Sequence, residues 1–514
     1  MLEQLSKTNG GRFLLTLLSI VLCLLSLPGN PFPLLAAVCL VPLGLAIHGA
    51  SPRQAMFYGF MFGFFGWLGS TRGLATGLTS YVQLSSAETL FYMGLLCAFL
   101  AIPYGLFGRL YGAFQWLKSP LGVFKTAACL TISVSIMPSP LPVSPAHSLY
   151  VFPLFTQILD IGGETLLLFA LTLVNCLLID LVLRLQSRRS LKGNFTFMLL
   201  LLTAITAYGY FRLNQYRDEE AAMGAVRMIT IASIQPNISL PASTDNDFDR
   251  DIEPVDTLLQ MSEHALLEAP QIELVVWPEI PRTIHCEEES TGNIQLVRFA
   301  KHHRTHLLVN CEQEHLHTGK YNTSLLIAPD GTIATYHKQK LFPFVEYLPN
   351  EKVFPVLRKI MPGASRYMPG EETVVFRVEK NWFVFTAICY EILFTDQVQR
   401  FIERGGNILV NPANDAWFGS SRIPDFLIAA SVYQSVKYHI PLVRISNSGN
   451  SLFVKANGDI LPGTRTPNFI ERVTISSLFV PRVRSLYSHF GNTFLYLLIV
   501  LWTVSLYPKK TRAK

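Results

Sequence analysis

Residues 382–411 read WFVFTAICYEILFTDQVQRFIERGGNILVN. The apolar run from Trp382 to Cys389 has the composition of a strand, Asp396 to Arg404 that of a helix, and Ile408 to Asn411 that of a second strand. Downstream, the pattern repeats as a helix over 425–438 and a strand from Pro441 to Ser446. Upstream, Met228 to Gln235 is rich in β-branched residues and reads as a strand. A helix fits 251–268, with Leu258, Leu259, Met261, Ala265 and Leu266 as its apolar positions. A short apolar strand, Ile272 to Trp277, ends at Pro278-Glu279. A helix over 291–303 and a strand from His306 to Cys311 follow. Asp330-Gly331 and Asn457-Gly458 are hairpin signals between apolar runs. Strands alternating with helices predict a layered α/β domain.

Around that domain the composition changes. The 514-residue chain is 50% hydrophobic and 15% charged, against about 25% charged for a soluble protein. Residues 13–212 are dominated by Leu, Phe, Gly and Ala, whereas 226–480 have globular composition. Apolar stretches near 13–27, 32–48, 55–71, 89–108, 121–138, 164–185, 194–211 and 491–507 are candidate membrane spans. The first is followed at once by others and by no small-residue cleavage site, so it reads as a span and not a signal peptide. Basic residues alternate between loops. Lys7 and Arg12 precede span one, and Arg53 separates two and three. Arg109, Lys118 and Lys125 lie around the four–five loop; Arg184, Arg188, Arg189 and Lys192 lie between six and seven. Lys509, Lys510, Arg512 and Lys514 follow span eight. The other loops carry almost none, which predicts cytoplasmic termini and an extracytoplasmic segment 212–490. The expected organisation is a membrane domain of about seven spans over 1–212, a catalytic domain over 226–480, and a last span over 491–507. The net charge of +6 therefore belongs to membrane orientation, and no nucleic-acid partner is expected.

Eight cysteines show no C-x-x-C and no disulfide-like spacing. Cys23, Cys39, Cys97, Cys129 and Cys176 sit in or beside apolar runs and read as small buried side chains. Cys286, Cys311 and Cys389 belong to the water-soluble part; three is odd, so at least one of these thiols cannot pair within it. His302, His303, His306, His315 and His317 cluster in sequence, but no acidic ligand set accompanies them, so no metal is expected.

Three places look chemical. Glu279 follows an apolar strand, at the kind of sheet edge where α/β sites are built; a lone Glu there is more often a solvated loop residue. Lys338 leaves the hairpin in Tyr336-His337-Lys338, ahead of Pro343-Phe344-Val345-Glu346-Tyr347. Alternation puts Tyr336 and Lys338 on one face, and a lone lysine is most often a surface group. Cys389 closes a strand before Tyr390-Glu391. A buried Cys is usually packing, but one at a strand end can be a nucleophile on a sharp turn. Attack by a thiol needs the thiolate.

The order Glu279, Lys338, Cys389 resembles that of the carbon–nitrogen hydrolase (nitrilase) superfamily. With helices in front and one behind, the whole chain resembles its membrane-anchored branch, the apolipoprotein N-acyltransferases. Matching stretches are Gln235-Pro236-Asn237-Ile238, Pro329-Asp330-Gly331 and Asn411-Pro-Ala-Asn414-Asp415-Ala416-Trp417-Phe418-Gly419. The resemblance implies a membrane α-helical bundle plus an α/β nitrilase-like four-layer αββα sandwich. It implies Glu279, Lys338 and Cys389 as catalytic, with Glu279 the candidate base, Lys338 the cation that favours thiolate and oxyanion, and the Tyr390 N–H a second oxyanion donor; Glu346, Tyr390 and Glu391 are in support, and no cofactor is expected. It further implies a phospholipid acyl donor, a Cys thioester, and the N-terminal amine of a diacylglyceryl-cysteine apolipoprotein as acceptor, in a bacterial inner membrane with the catalytic domain on the periplasmic side. Leu341, Phe342, Phe344 and Trp417-Phe418 are candidate acyl-chain contacts, with core packing the equal alternative for Phe342 and Phe344. The sequence departs from the family pattern at Ser239, Leu240, Ser243, Thr244, Val345, Val432, Gln434, Lys437, His489 and Asn492, so an intact core with altered surrounding loops is expected. Two other readings use the same domain: a membrane-tethered amidase or nitrilase with water as acceptor, or a paralogue acylating another amine. A transporter or scaffold with an inactive domain is opposed by the intact Glu, Lys and Cys.

Overall fold

The computed structural model describes residues 6–80, 82, 84–119, 121–187, 190–238, 252–279, 291–315, 319–361, 363–419 and 421–507. The readings placed on Arg188, Arg189, Ser239, Leu240, Ser243, Thr244, Cys286, His317, Lys509, Lys510, Arg512 and Lys514 lie outside these residues, as do the side chains of His315 and Trp417. The chain forms two compact units. One comprises Met1–Arg72, Leu90–Leu213 and Ser485–Lys514; the other comprises Gly73–Thr89 and Asn214–Arg484. Gly73–Thr89, which composition groups with the membrane part, thus belongs to the second unit, where Gly73 closes on Ser421 and Gly419 lies by Thr76.

The first unit is helical. Among the described residues, four helices are long and apolar enough to cross a membrane: Asn9–Ser26, Ser86–Lys118, Leu159–Gln186 and Lys192–Arg227. Pro33–Ile47, Gly122–Ile136 and Thr493–Leu506 are shorter apolar helices, and Pro52–Ser70 is a further helix. Small residues let these helices approach closely: a Cβ on Gly59 would meet the Tyr104 carbonyl oxygen at 2.3 Å, and one on Gly108 that of Ala55 at 2.2 Å. Asn175 spans the irregular backbone before Val41, donating to the Ala36 carbonyl and accepting from the Leu40 N–H, both at 3.0 Å. Backbone groups at an apolar break need such partners. Asp160 is fully buried and pairs with Arg212 at 2.8 Å and the Tyr208 hydroxyl at 2.5 Å. Asp180 pairs with Arg184 at 2.6 Å.

The second unit holds two sheets. Strands β1 (Met228–Gln235), β2 (Leu274–Val276), β3 (His306–His315), β4 (Gly319–Ile327), β5 (Ile333–His337) and β11 (Arg472–Phe479) form the first, in the order β11-β1-β2-β3-β4-β5. Strands β6 (Phe376–Val378), β7 (Trp382–Thr386), β8 (Ile408–Ala413), β9 (Leu442–Ser446) and β10 (Leu452–Val454) form the second, in the order β10-β9-β8-β7-β6. The centre of each is parallel: β1, β2 and β3 in one, β7, β8 and β9 in the other. Parallel strands are covered on both faces, and every residue of β8 and β9 is buried. Helices Ile252–Glu268 and Thr291–His303 cover the first sheet through Leu258, Ala265, Leu266, Leu296 and Ala300. Helices Thr395–Glu403 and Ile423–Tyr438 belong with the second, and two sheets with their helices are the parts of the expected four-layer αββα sandwich. Asp330-Gly331 turns the β4–β5 hairpin, and Asn457-Gly458 turns the chain after β10.

Candidate active site

The candidate residues stand just past the ends of β2, β5 and β7. After β2 the chain passes through Trp277 and Pro278 to Glu279, whose N–H donates to the Ala413 carbonyl at the end of β8, at 3.3 Å. Lys338 follows β5 directly, and its N–H is held by the Asn322 carbonyl at 2.9 Å. β7 ends at Thr386, three residues earlier than its apolar run suggests, and Cys389 opens a 3₁₀ turn, Cys389–Leu393. Cys389 has φ +52°, in the left-handed region. A non-glycine residue there is costly by about 1 kcal/mol or more, so the surroundings must hold it.

Lys338 is buried, and its ammonium donates to Glu279 Oε1 at 3.1 Å and Glu346 Oε1 at 2.8 Å. Asn322 Nδ2 donates to the same two oxygens, at 2.8 and 3.2 Å. Glu346 Oε2 accepts the Phe342 N–H at 2.6 Å, which ties the Pro343–Tyr347 loop to the cluster. Burial alone would pull the Lys338 ammonium down, but Glu279 and Glu346 outweigh it and hold Lys338 charged, well above the usual lysine value. The Cys389 thiol is pushed well above its usual value by burial first and then by Glu279, with Lys338 opposing. The thiol is half-buried and within electrostatic reach of both groups.

Glu391 does different work. Fully buried, it accepts from the Gln339 N–H at 2.7 Å, the Lys340 N–H at 3.0 Å, the Tyr336 hydroxyl at 3.0 Å and the Ile388 N–H at 2.8 Å. It therefore staples the chain just after Lys338 to the chain just before Cys389. Burial raises its carboxyl, and these donors offset part of that. Tyr390 packs edge-on against Phe342 and Phe394, at 4.9 and 4.8 Å between ring centres. Phe344 is exposed.

Residues 230–486 match the carbon–nitrogen hydrolase model, and 19–177 match that of the apolipoprotein N-acyltransferase N-terminal domain. The chain belongs to the carbon–nitrogen hydrolase family. It is 26% identical over 492 residues to an apolipoprotein N-acyltransferase of Geobacter metallireducens, covering 94% of this chain and 92% of that one. It is 27% identical over 464 residues to the Azotobacter vinelandii protein of the same name, covering 87% and 85%. The solved structure of Saccharomyces cerevisiae Nit3, a nitrilase-superfamily member, covers 56% of this chain and 97% of its own at 16% identity and a TM-score of 0.38. This member thus couples a family domain to a membrane-type helical region, with relatives that run nearly its full length.

The positions where this chain departs from the family pattern are not all loops. Val432, Gln434 and Lys437 lie in helix Ile423–Tyr438 and are buried. Gln434 Nε2 donates to the Ile392 carbonyl at 2.8 Å, and the Lys437 ammonium donates to Thr395 Oγ1 at 2.5 Å. This helix braces the segment that follows Cys389. Sequence reasoning also passed over Asn322, between Tyr321 and Thr323 in β4, and Arg444, between Val443 and Ile445 in β9, and gave no role to Asn411 or Asp415. An Arg flanked by apolar strand residues must have partners if buried; that need was readable for Arg444, though not which residues meet it. Cys311 is disulfide-bonded, a pairing that spacing did not suggest. Among the described residues no group of three His, Cys, Asp or Glu is set to hold a metal ion.

Proposed function

We propose that the protein is an N-acyltransferase that moves a fatty acyl chain from a phospholipid, through a thioester on Cys389, to the N-terminal amine of diacylglyceryl-cysteine apolipoproteins. The observation that carries this reading is Cys389 on a left-handed turn, within the field of one ammonium shared by two carboxylates. The end-to-end similarity to named N-acyltransferases supplies the substrate class.

Glu279 takes the thiol proton and the sulfur attacks the ester carbonyl carbon. The carbonyl π pair moves to oxygen, where Lys338 and the Tyr390 N–H stabilise the charge. Collapse breaks the acyl C–O bond, and the glycerol oxygen leaves with the proton from Glu279. The acceptor amine then attacks the thioester and gives its proton to Glu279; the thiolate departs and recovers that proton. Glu346 fixes Lys338, and Glu391 fixes the two reacting segments. Incubating purified protein with phospholipid should leave one acyl mass on Cys389, discharged by a diacylglyceryl peptide. No adduct, with turnover of nitrile or amide, would favour a C–N hydrolase; an adduct discharged only by other amines would favour a paralogue.

The catalytic unit lies on the extracytoplasmic side in this reading. Support comes from the alternation of basic loops and from the Cys311 disulfide, a bond that persists in oxidising compartments. Reporter fusions near residue 190 should read cytoplasmic and those near residue 330 extracytoplasmic; the reverse would exclude a periplasmic acyl transfer.

A further inference from the structure

Beside the Cys389 turn, β8 and β9 carry a second polar set. The parallel register puts Asn411 beside Arg444 and Ala413 beside Ser446. Alternation puts Arg444 and Ser446 on one face of β9. Asn411 Nδ2 donates to the Ala387 carbonyl at 2.5 Å and to the Cys389 carbonyl at 3.0 Å. Arg444 donates through one nitrogen to Asn411 Oδ1 and through the other to Asp415 Oδ1, the latter at 2.7 Å. The Asp415 N–H donates to Ser446 Oγ at 3.1 Å. Arg444 and Asn411 are fully buried and Asp415 nearly so. Arg444 stands between Val443 and Ile445 in β9. Burying a guanidinium is costly, and apolar replacement of a buried pair is often neutral or stabilising. Sheet packing alone gives no reason for an arginine there.

The direction of the donors gives one. The Cys389–Tyr390 peptide is planar and trans, so its carbonyl and its N–H point opposite ways. Pinning the carbonyl on Asn411 fixes where the Tyr390 N–H points. Each link also donates in the same sense, from guanidinium to amide to peptide, and hydrogen bonds in such a chain polarise one another. We propose that Arg444, held by Asp415 and acting through Asn411, is a positioning residue that aims and polarises the Tyr390 N–H toward the oxyanion. This rests on the acyl-transfer reading above.

The test separates a reaction that makes an oxyanion from one that does not. Acylation of Cys389 by a dioleoyl phospholipid in mixed micelles passes through a tetrahedral oxyanion. S-alkylation of the same thiol by iodoacetamide does not. The variant Arg444→Gln/Asp415→Asn removes both charges together, so neither is left buried alone. A second variant, Asn411→Ala, cuts the chain at its other end. In each, acylation should fall roughly tenfold to hundredfold, somewhat less than for deletion of a whole oxyanion donor. It should fall in kcat and kcat/KM alike, while alkylation stays within about threefold. Parallel loss of both reactions in the folded protein would make the set a mere scaffold for the turn and overturn the proposal. So would retention of both. If the wild-type chain itself forms no acyl adduct on Cys389, the acyl-transfer reading and this inference fall together; an acylating wild type with indiscriminate variants removes the inference alone.

Discussion

Five free cysteines, Cys23, Cys39, Cys97, Cys129 and Cys176, belong to the helical unit, and all five are buried. Cys389, in the α/β unit, is half-buried, left-handed and faced by charge. The ion pairs differ in the same way. In the helical unit Asp160 pairs with Arg212 and Asp180 with Arg184, one to one. In the α/β unit Lys338 is shared by Glu279 and Glu346, which leaves a formal excess of one negative charge. Balanced pairs are what burial demands of structural ions. An unbalanced cluster beside a strained cysteine is what the proposed proton transfers would use. Residue type alone separates neither pair of cases; backbone conformation and charge balance do.

The comparison breaks first on the cysteines. Cys389→Ala should abolish acyl transfer from phospholipid to a diacylglyceryl peptide, because no thioester can form. Cys389→Ser should do nearly the same, since a hydroxyl is a far weaker acid than a thiol. Cys129→Ala and Cys176→Ala should keep their turnover. Full activity in Cys389→Ala, with no thioester on another cysteine, would remove the distinction altogether.

The charge clusters come next. Glu279→Gln removes the base with shape retained, and Lys338→Ala removes the cation. Each should lower turnover by about a hundredfold or more, as loss of one oxyanion donor does elsewhere. The double variant should be little worse than either single one, because such residues act as a unit. Additive losses in single-turnover acylation would mean that the two act in separate steps.

A smaller loss is expected at Glu391→Gln. The amide keeps an acceptor for part of the staple, but its NH₂ faces backbone donors in place of an oxygen. The Cys389 turn should loosen without losing any reacting group, so turnover should drop by roughly tenfold, the worth of about 1.4 kcal/mol. A loss as deep as that of Glu279→Gln would assign Glu391 a direct part in proton transfer.

The two regions also differ in how much their sequences disclose. Hydropathy marks the helices of the first unit because long apolar segments need no partner to be recognised. In the second, β1 and helix Thr291–His303 carry strong local patterns and are found with their predicted bounds. β6, β10 and β11 were not singled out; the first two are three residues each, and β11 depends on pairing with β1, far away in sequence. The site divides similarly. Glu279, Lys338 and Cys389 stand at element ends, where polarity interrupts an apolar run. Asn322, Asn411 and Arg444 act through partners 22 to 43 positions away, and no local pattern announces such a pairing. The early end of β7 has the same origin: apolar residues continue to Ile388, but Glu391 takes the Ile388 N–H and turns the chain.

The smallest effect is a titration. Burial, then Glu279, push the Cys389 thiol up, while Lys338 pulls it down; Asp415 and Arg444 act in opposite senses behind it. An acid whose value is raised stays protonated to higher pH, so the thiolate appears only above the ordinary thiol midpoint of about 8.5. Alkylation of resting Cys389 by iodoacetamide, which needs thiolate, should therefore keep climbing past that pH. The two flanking charges should move the curve in opposite directions. Glu279→Gln removes an anion that disfavours thiolate and should shift the profile to lower pH. Lys338→Met removes the cation that favours it and should shift the profile higher. Substitution of Cys176 should move neither. A profile centred below the ordinary thiol value would mean that Cys389 rests as a thiolate paired with Lys338, and that Glu279 serves only the incoming amine.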